Sequence, residues 1–377
     1  MFKSVLSLTL AAALGTASFG QTTLTAIPGE AAAAKYASIS QEILRAIEKG
    51  NEYLKSKQNS EGYWAQPSYP ALTALAVTAY MRDPANQGKP VPEYIRKGYD
   101  FILKSQKEDG SIFNRGMSSY NTAVCMMALL AANKEEYAPA ILKGPYNGGI
   151  GYGDKQAPPI ADLSNTSLAL EAIYYSQKLA KDGKYGEQPD LDWNAATEFI
   201  NRCQQNPAVN KEPWVSNDKS QLGGFVYRPG VSSARDKKSA AFDKAEPPKA
   251  YGSMTYAGMQ SLIYANVDKN DPRVKLALKW LENSYSLDEN PGMGVQGLYY
   301  YYQAMSKALS AMGIDTLTLE NGRKVDWRDE LANKLISIQK SDGSWVNTNN
   351  RWWEADPVLV TSYCVLALEQ LYHSIPR

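Results

Sequence analysis

The 377-residue sequence is poor in the side chains that most often bind metals, since it has one histidine and three cysteines. A single histidine excludes a multi-histidine zinc or iron site, and three cysteines cannot supply a four-cysteine site or a disulfide framework. The histidine, His373, lies near the C-terminus, which argues against a Ser-His-Asp relay. We therefore expect no metal site and no other cofactor.

An excess of charge of one sign is also absent. The 40 Lys and Arg residues nearly balance the 39 Asp and Glu residues, and like charges form no block. Proteins that bind nucleic acid or anionic lipid usually carry such a block, so nucleic acid is not expected as a partner. After the first 20 residues no apolar run approaches the roughly 18 residues that a membrane helix needs, so no integral membrane segment is predicted.

The first 20 residues have the layout of a secretory signal peptide. Lys3 precedes an apolar run over residues 4–14, and small residues up to Gly20 are followed by the polar Gln21. We expect cleavage close to Gly20, a flexible segment over 21–37, and a mature protein exported to the periplasm or the extracellular space. A buried N-terminal helix is the alternative interpretation.

Six segments share one pattern: Thr, five residues, a small residue and an apolar residue. The pattern begins at Thr73, Thr122, Thr166, Thr255, Tyr302 and Thr361, with Tyr in place of Thr in the fifth copy. More amphipathic helices are predicted before these segments, over 40–57, 93–106, 192–205, 271–285 and 326–339, and a weaker one around 137–142. One amphipathic and one largely apolar helix per repeat predict an all-α (α/α)6 toroid over 38–377, with a long loop inserted at 206–250.

The loops between paired helices carry a second signature. Residues 58–64 and 339–345 both fit Q-x-x-x-G-x-W, residues 106–113 are a variant, and 149–152, 224–225 and 292–294 are degenerate relatives without the spaced glutamine. Glycine supplies a left-handed turn after a helix, and glutamine can cap a neighbouring helix end. These loops, the six ordered patterns and the stretches 161–166 and 251–256 resemble the superfamily of squalene cyclases and protein prenyltransferase β subunits, across about residues 38–374.

The resemblance implies two chemistries whose residues can be sought in this sequence. Class II cyclases protonate an alkene with the central Asp of D-x-D-D-T, but residues 162–166 read Asp-Leu-Ser-Asn-Thr, so Ser164 stands at the protonating position. A similar stretch at 190–193 is interpreted as a helix N-cap. The prenyltransferases hold zinc with Asp, Cys and His from inner helices, whereas His373 follows the last inner helix. Cys125, Cys203 and Cys364 are expected to be buried packing residues, and enzyme status stays open.

The starts of the inner helices converge on one mouth that is rich in aromatic residues and holds a few carboxylates. Ligand contacts are predicted for Tyr120, Asn121, Asn165, Tyr251, Ser253, Tyr256, Tyr299, Trp352 and Trp353, with Tyr69 and Tyr300 nearby, and the weak catalytic candidates are Asp162, Asp356 and Glu354. Aromatic residues at helical spacing also suit an ordinary core. A ligand cavity, however, accommodates so many phenol hydroxyls better than a dry core, because each buried hydroxyl needs a partner.

Three functions are compatible with this sequence. The resemblance implies binding of a small apolar or isoprenoid-like molecule in the central cavity. A glycan-active hydrolase or lyase would instead use Asp162 with Asp356, or Glu354 as a substitute, beside aromatic platforms. A non-catalytic scaffold would present its rim to a protein partner. The loop at 206–250 is either a lid or a solvated surface excursion, and six helix N-termini at one mouth would favour an anion.

Overall fold

The computed structural model describes residues 30–132, 161–181, 191–234 and 247–375. Within these ranges it contains eleven α-helices and one antiparallel ribbon of two strands, β1 (Leu317–Thr318) and β2 (Lys324–Val325). The predicted signal peptide, the weak helix around 137–142, the loop at 149–152 and residues 235–246 of the predicted long loop lie outside the described residues. In the described part of the chain, no helix combines the length and apolar character required to cross a membrane.

The described helices take an outer or an inner position, and they alternate along the chain except on either side of residues 133–160, which are not described. The outer helices are α1 (Glu30–Ser56), α3 (Glu93–Lys104), α6 (Trp193–Asn201), α8 (Pro272–Asn283) and α10 (Trp327–Ser337). The inner helices are α2 (Pro70–Arg82), α4 (Ser118–Ala132), α5 (Leu163–Lys181), α7 (Gly252–Tyr264), α9 (Leu298–Met312) and α11 (Pro357–Ser374). Each inner helix contains one copy of the repeated pattern, as predicted.

The six inner helices form a closed ring. Each packs on the next inner helix in chain order, and α11 packs on α2 to complete the circle. Outside the ring, α1 lies against α11 and α10, α3 against α2, and α8 against α7. The predicted (α/α)6 toroid is confirmed, and the described loops that lead from outer to inner helices lie at one end, which we call the mouth.

Aspartates set the starts of three outer helices. Asp192, Asp271 and Asp326 each accept a backbone N–H of the first helical turn, at 2.9, 2.9 and 3.3 Å. These N-caps satisfy donors that have no partner within the helix, and they confirm the predicted starts to within one residue. Helix α1 begins at Glu30, before the predicted residue 40, because the alanines at 31–34 are strong helix formers. Part of the segment 21–37, which we expected to be flexible, is therefore helical.

The two sequence signatures meet in one contact. The backbone N–H of Trp64, the last residue of the first Q-x-x-x-G-x-W loop, donates to Oγ1 of Thr73 in α2 at 3.1 Å. The same bond joins Ile112 to Thr122 (2.9 Å), Phe225 to Thr255 (3.0 Å) and Trp345 to Thr361 (3.1 Å). The pattern threonine thus holds the preceding loop against its inner helix in four of the hairpins.

The last such loop closes the outer ring. The amide of Gln339 donates to the carbonyl oxygen of Ala46 in α1 at 3.0 Å. Gly343 has φ +86°, and a Cβ on it would lie 2.4 Å from the carbonyl oxygen of Lys49 in α1. Only glycine fits this left-handed turn against a helix backbone. The loop before α11 therefore attaches the last repeat to the first.

The loop of the fourth hairpin carries the same signature, divided by an insertion. The amide of Gln204 donates to the carbonyl oxygens of Gly223 (3.1 Å) and Arg273 (2.9 Å). Phe225 occupies the place of the tryptophan. The expectation that this loop lacks a spaced glutamine was wrong, because residues 205–222 are inserted between the glutamine and the glycine and hide the spacing in the sequence.

Candidate functional site

A strained turn at the mouth presents two tryptophans. Trp352 and Trp353 lie between α10 and α11 with φ of 55° and 64°, a left-handed conformation that bulky residues rarely adopt. Their side chains are 46% and 40% exposed. Such strain costs about 1–3 kcal/mol at each residue and persists only where surrounding structure enforces it. The mouth therefore displays two large aromatic faces at an energetic cost.

The buried carboxylate of Glu354 holds this turn in place. Its Oε1 accepts the backbone N–H of Tyr300 at the start of α9 (2.8 Å), and its Oε2 accepts the side-chain amide of Asn347 (2.7 Å). Asn347 returns a backbone N–H to the carbonyl oxygen of Glu354 at 2.9 Å. Burial raises the pKa of Glu354, and the bonds from the α9 start and Asn347 act in the opposite direction. Glu354 is therefore a cap for α9 and an anchor for the tryptophans.

Each tryptophan has one neighbour that fixes its ring. The ring of Trp353 lies 4.7 Å from that of Tyr69, tilted by 51°. The guanidinium of Arg351 lies over the ring of Trp352, 4.3 Å from its centroid. Beside them opens a cavity of about 510 Å³, lined by Gln66, Leu72, Asn350, Trp353, Ala355, Asp356 and Pro357. Aromatic, amide and carboxylate groups thus share one opening.

Other predicted polar residues cap helices. Asp356 accepts the N–H of Val358 at 2.8 Å at the start of α11, and it also lines the cavity. Asp162, which is buried at the start of α5, accepts the backbone N–H (2.9 Å) and the side-chain amide (2.7 Å) of Asn165. Burial raises the pKa of Asp162 to about 6, against several hydrogen bonds that lower it. Two of the three carboxylate candidates are thus buried, and all three serve as caps.

Two uncharged candidates also lie in helix-capping contacts, Asn121 as the acceptor and Ser253 as the donor. Oδ1 of Asn121, in α4, accepts the N–H of Ala71 at the start of α2 (3.0 Å). The N–H of Ser253, at the start of α7, donates to Oδ1 of Asn290 (2.9 Å). Side chains therefore already occupy donors at five inner-helix starts, which weakens the case for an anion held by those starts alone.

Tyrosines cross the toroid axis just below the mouth. The hydroxyls of Tyr120 in α4 and Tyr363 in α11 lie 3.2 Å apart, and those of Tyr300 in α9 and Ser164 in α5 lie 3.4 Å apart. Neither pair of helices is adjacent in the ring. Burial raises the pKa of Tyr120 to about 12, so its phenol is neutral. Side chains rather than an open channel occupy the axis at this level.

The remaining aromatic candidates pack within the core. Tyr251 is the buried N-cap residue of α7, and Tyr256 is buried with its ring 5.6 Å from that of Tyr301. Tyr299 is buried and donates to the carbonyl oxygen of Val346 at 3.2 Å. The structure thus brings the tryptophan pair, Tyr69 and Asp356 together at the mouth, and it places Tyr120 and Tyr300 on the axis.

Several residues at the mouth were not predicted from the sequence. Gln66, Asn350 and Arg351 are loop residues whose types are common on any surface. Tyr363 stands inside an inner helix, although its position two residues after Thr361 is a signal for the axial face. The cysteines are free and buried, as predicted. His373 lies half-buried in the last turn of α11.

A charged group of residues lies below the mouth, more than two turns into the inner helices. Lys307 in α9 pairs with Glu171 in α5, across the ring. Glu369 in α11 is fully buried, and neither carboxylate oxygen has a hydrogen-bond partner. Burial raises its pKa well above the ordinary value, with Arg82 and Asp83 as its charged neighbours. Glu369 therefore favours its neutral form.

Solved structures share this fold. No family model matches the sequence, and no curated protein matches it. The type II terpene cyclase MstE from Scytonema, in its apo form, is 10% identical, with 89% of this chain and 99% of that chain covered and a TM-score of 0.51. A variant of MstE in complex with geranylgeranyl dihydroxybenzoate as substrate is 10% identical, with 89% of this chain and 99% of that chain covered and a TM-score of 0.50. Candida albicans protein geranylgeranyltransferase-I complexed with GGPP is 12% identical, with 86% of this chain and 90% of that chain covered and a TM-score of 0.52.

These similarities define the class of protein by its fold. The chain has the all-α toroid fold of the terpene cyclase MstE and of protein geranylgeranyltransferase-I, a fold that the sequence resemblance implied. At sequence identities of 10% and 12%, the structural similarity shows the fold and not the activity.

Proposed function

We propose that this toroid binds a carbohydrate at its mouth, with Trp352 and Trp353 as the stacking platform. The observation that supports this most is the pair of exposed tryptophans held in a left-handed conformation beside a cavity of about 510 Å³. A sugar ring has an apolar C–H face that packs on an indole, and hydroxyls around its edge that need hydrogen bonds. Gln66, Asn350 and Asp356 line the same cavity and supply them.

Binding, rather than hydrolysis, suits the carboxylates. A glycosidase needs two carboxyl groups that flank one bond. Asp356 lines the cavity, but Asp162 and Glu354 are buried and bonded as helix caps. Among the described residues, the candidates from the sequence therefore offer one carboxylate to a ligand. Export, which residues 1–20 predict, belongs to the proposal because it would bring the mouth to extracellular polysaccharides.

An isoprenoid ligand is the second candidate. The aromatic rings of Tyr120, Tyr300 and Tyr363 converge on the axis, and fold relatives bind GGPP or geranylgeranyl dihydroxybenzoate. An isoprenoid chain in the axis would have to separate the hydroxyl pairs at 3.2 and 3.4 Å. The carbohydrate proposal requires no such rearrangement.

Calorimetric titration distinguishes the two candidates. The purified protein would be titrated with hexasaccharides of glucose, xylose, mannose and galacturonic acid, and separately with geranylgeranyl diphosphate. We expect at least one hexasaccharide to bind and Trp353→Ala to weaken it about tenfold, which corresponds to about 1.4 kcal/mol. Trp193→Ala is the control, because Trp193 begins the outer helix α6 at the opposite end of the toroid.

Two results would contradict the proposal. One is the absence of binding to every hexasaccharide. The other is equal binding by the Trp353→Ala and Trp193→Ala variants. Tight binding of geranylgeranyl diphosphate that Tyr120→Phe changes and Trp353→Ala does not would favour the axial ligand instead.

A further inference from the structure

Arg351 is a cation held in a fixed position at the mouth. Its guanidinium lies over the ring of Trp352, 4.3 Å from the centroid, and its Nη1 donates to Oε1 of Gln296 at 2.5 Å. A guanidinium has five N–H donors in a planar fork, and this bond uses one of them. The stacking and the hydrogen bond together orient the fork.

The charge of Arg351 has no carboxylate partner among the described residues. Four of the nine other described arginines do have one: Arg202 pairs with Glu212, Arg273 with Asp271, Arg323 with Glu330 and Arg328 with Asp315. The acid nearest to Arg351 in the sequence, Glu354, is buried and hydrogen-bonded to the start of α9 and to Asn347. The donors of Arg351 thus remain available to an acid from outside the chain.

The positive charge of Arg351 also acts on the start of an inner helix. Burial raises the pKa of Tyr251 at the start of α7, and the charge of Arg351 acts in the opposite direction. Arg351 therefore lies within electrostatic range of the inner ring as well as beside the tryptophans. Arg351 and Trp353 are two residues apart in the same turn, so the arginine side chain is within reach of a ligand that stacks on Trp353.

We propose that the mouth selects acidic saccharides, in which a ring carboxylate of a uronic acid residue pairs with Arg351 while the sugar face packs on Trp353. This inference rests on the carbohydrate function proposed above. Arginine and a carboxylate can form two parallel hydrogen bonds, which are stronger and more directional than those between neutral groups. A neutral sugar can form only the weaker kind with the same fork.

A matched pair of ligands tests the role of the carboxylate. The probes are hexagalacturonate and hexamannuronate, each compared with its own methyl ester, which keeps the ring and removes the charge. For the wild type in 20 mM salt, we expect at least one acid to bind about tenfold more tightly than its ester. The difference should shrink in 500 mM salt, because an exposed ion pair is screened.

Variants of Arg351 separate charge from geometry. Arg351→Gln should abolish the preference for acid over ester, whereas Arg351→Lys should keep part of it, because lysine retains the charge but lacks the fork. Trp193→Ala should leave the preference unchanged. Thermal unfolding of each variant checks that the exposed substitution leaves the fold intact.

The outcomes distinguish this inference from the function on which it rests. Equal affinity for acid and ester, or an unchanged preference in Arg351→Gln, would overturn the selection for acids and leave carbohydrate binding standing. Failure of acidic and neutral hexasaccharides alike would overturn both. A sulfated hexasaccharide that binds through Arg351 while neither uronate does would overturn the assignment to a carboxylate.

Discussion

Replacing Thr73 by valine tests whether the contact between loop and helix holds each hairpin together. Thr73 is fully buried in α2, and its Oγ1 accepts the backbone N–H of Trp64 at 3.1 Å. Valine keeps the size and the branched shape but has no acceptor, so the buried N–H loses its partner. A buried donor left without a partner costs about 1–3 kcal/mol, and we expect the free energy of unfolding to fall by that amount.

Thr78→Val, one and a half turns further along the same helix, is the matched control. Thr78 is also buried, but its Oγ1 donates to the carbonyl oxygen of Ala74 at 2.7 Å within the helix. That carbonyl keeps its helical N–H partner when the hydroxyl is removed, so we expect a loss below about 1 kcal/mol. Thr361→Val should resemble Thr73→Val, because Thr361 accepts the N–H of Trp345 at 3.1 Å.

Urea denaturation followed by tryptophan fluorescence measures all three variants. The midpoint and slope of each curve give the change in the free energy of unfolding. The expected order places Thr73→Val and Thr361→Val clearly below Thr78→Val in stability. If all three lose the same free energy, the threonine of the pattern contributes only packing, and its proposed role as acceptor is refuted.

Three further perturbations test other parts of the fold. Gly343→Ala should cost more than Gly313→Ala in urea denaturation, because both have positive φ but only Gly343 contacts a carbonyl oxygen of α1. Lys307→Met should lower the free energy of unfolding by about 3–5 kcal/mol, since it leaves Glu171 buried without its cation, and Glu171→Leu in the same chain should recover much of that loss; additive losses would contradict this. Because burial raises the pKa of Glu369, the folded state keeps a proton that the unfolded chain releases above its ordinary pKa of 4.5. The stability of the wild type relative to Glu369→Gln should therefore fall as pH rises above that value, by up to about 1.4 kcal/mol per unit, and a constant difference between pH 5 and pH 8 would contradict it.

The fold was predictable because its determinants are local and repeated. Asp192, Asp271 and Asp326 cap the helices that they precede, and each pattern copy lies in an inner helix. The helix starts and the order of the ring follow from such short-range signals. Gln204 was not predicted as part of its loop, because the insertion places its partner Gly223 further along the chain than the glycine in the other loops.

The site was less predictable, because aromatic and polar residues at helix starts serve two purposes. Asn121 and Glu354 have side chains suited to ligands, but the structure directs them to the N–H groups of neighbouring helices. Spacing along the chain identifies a residue at the mouth. It does not reveal whether another repeat supplies the group to which that residue bonds.

The sequence by itself determined the class of architecture. Six copies of one pattern, alternating with amphipathic segments and glycine-containing loops, specify six hairpins, because helical periodicity and left-handed turns depend on neighbouring residues.

Only the tertiary structure decided how the mouth is used. The closure of the ring brings together residues that are distant in sequence, so that Tyr120 of the second inner helix meets Tyr363 of the last, and Tyr69 before the first inner helix packs on Trp353 before the last. The same closure turns Glu354 into an anchor for the strained tryptophans. Contacts between residues distant in sequence depend on how every repeat packs on the next, and a pattern within one repeat does not predict them.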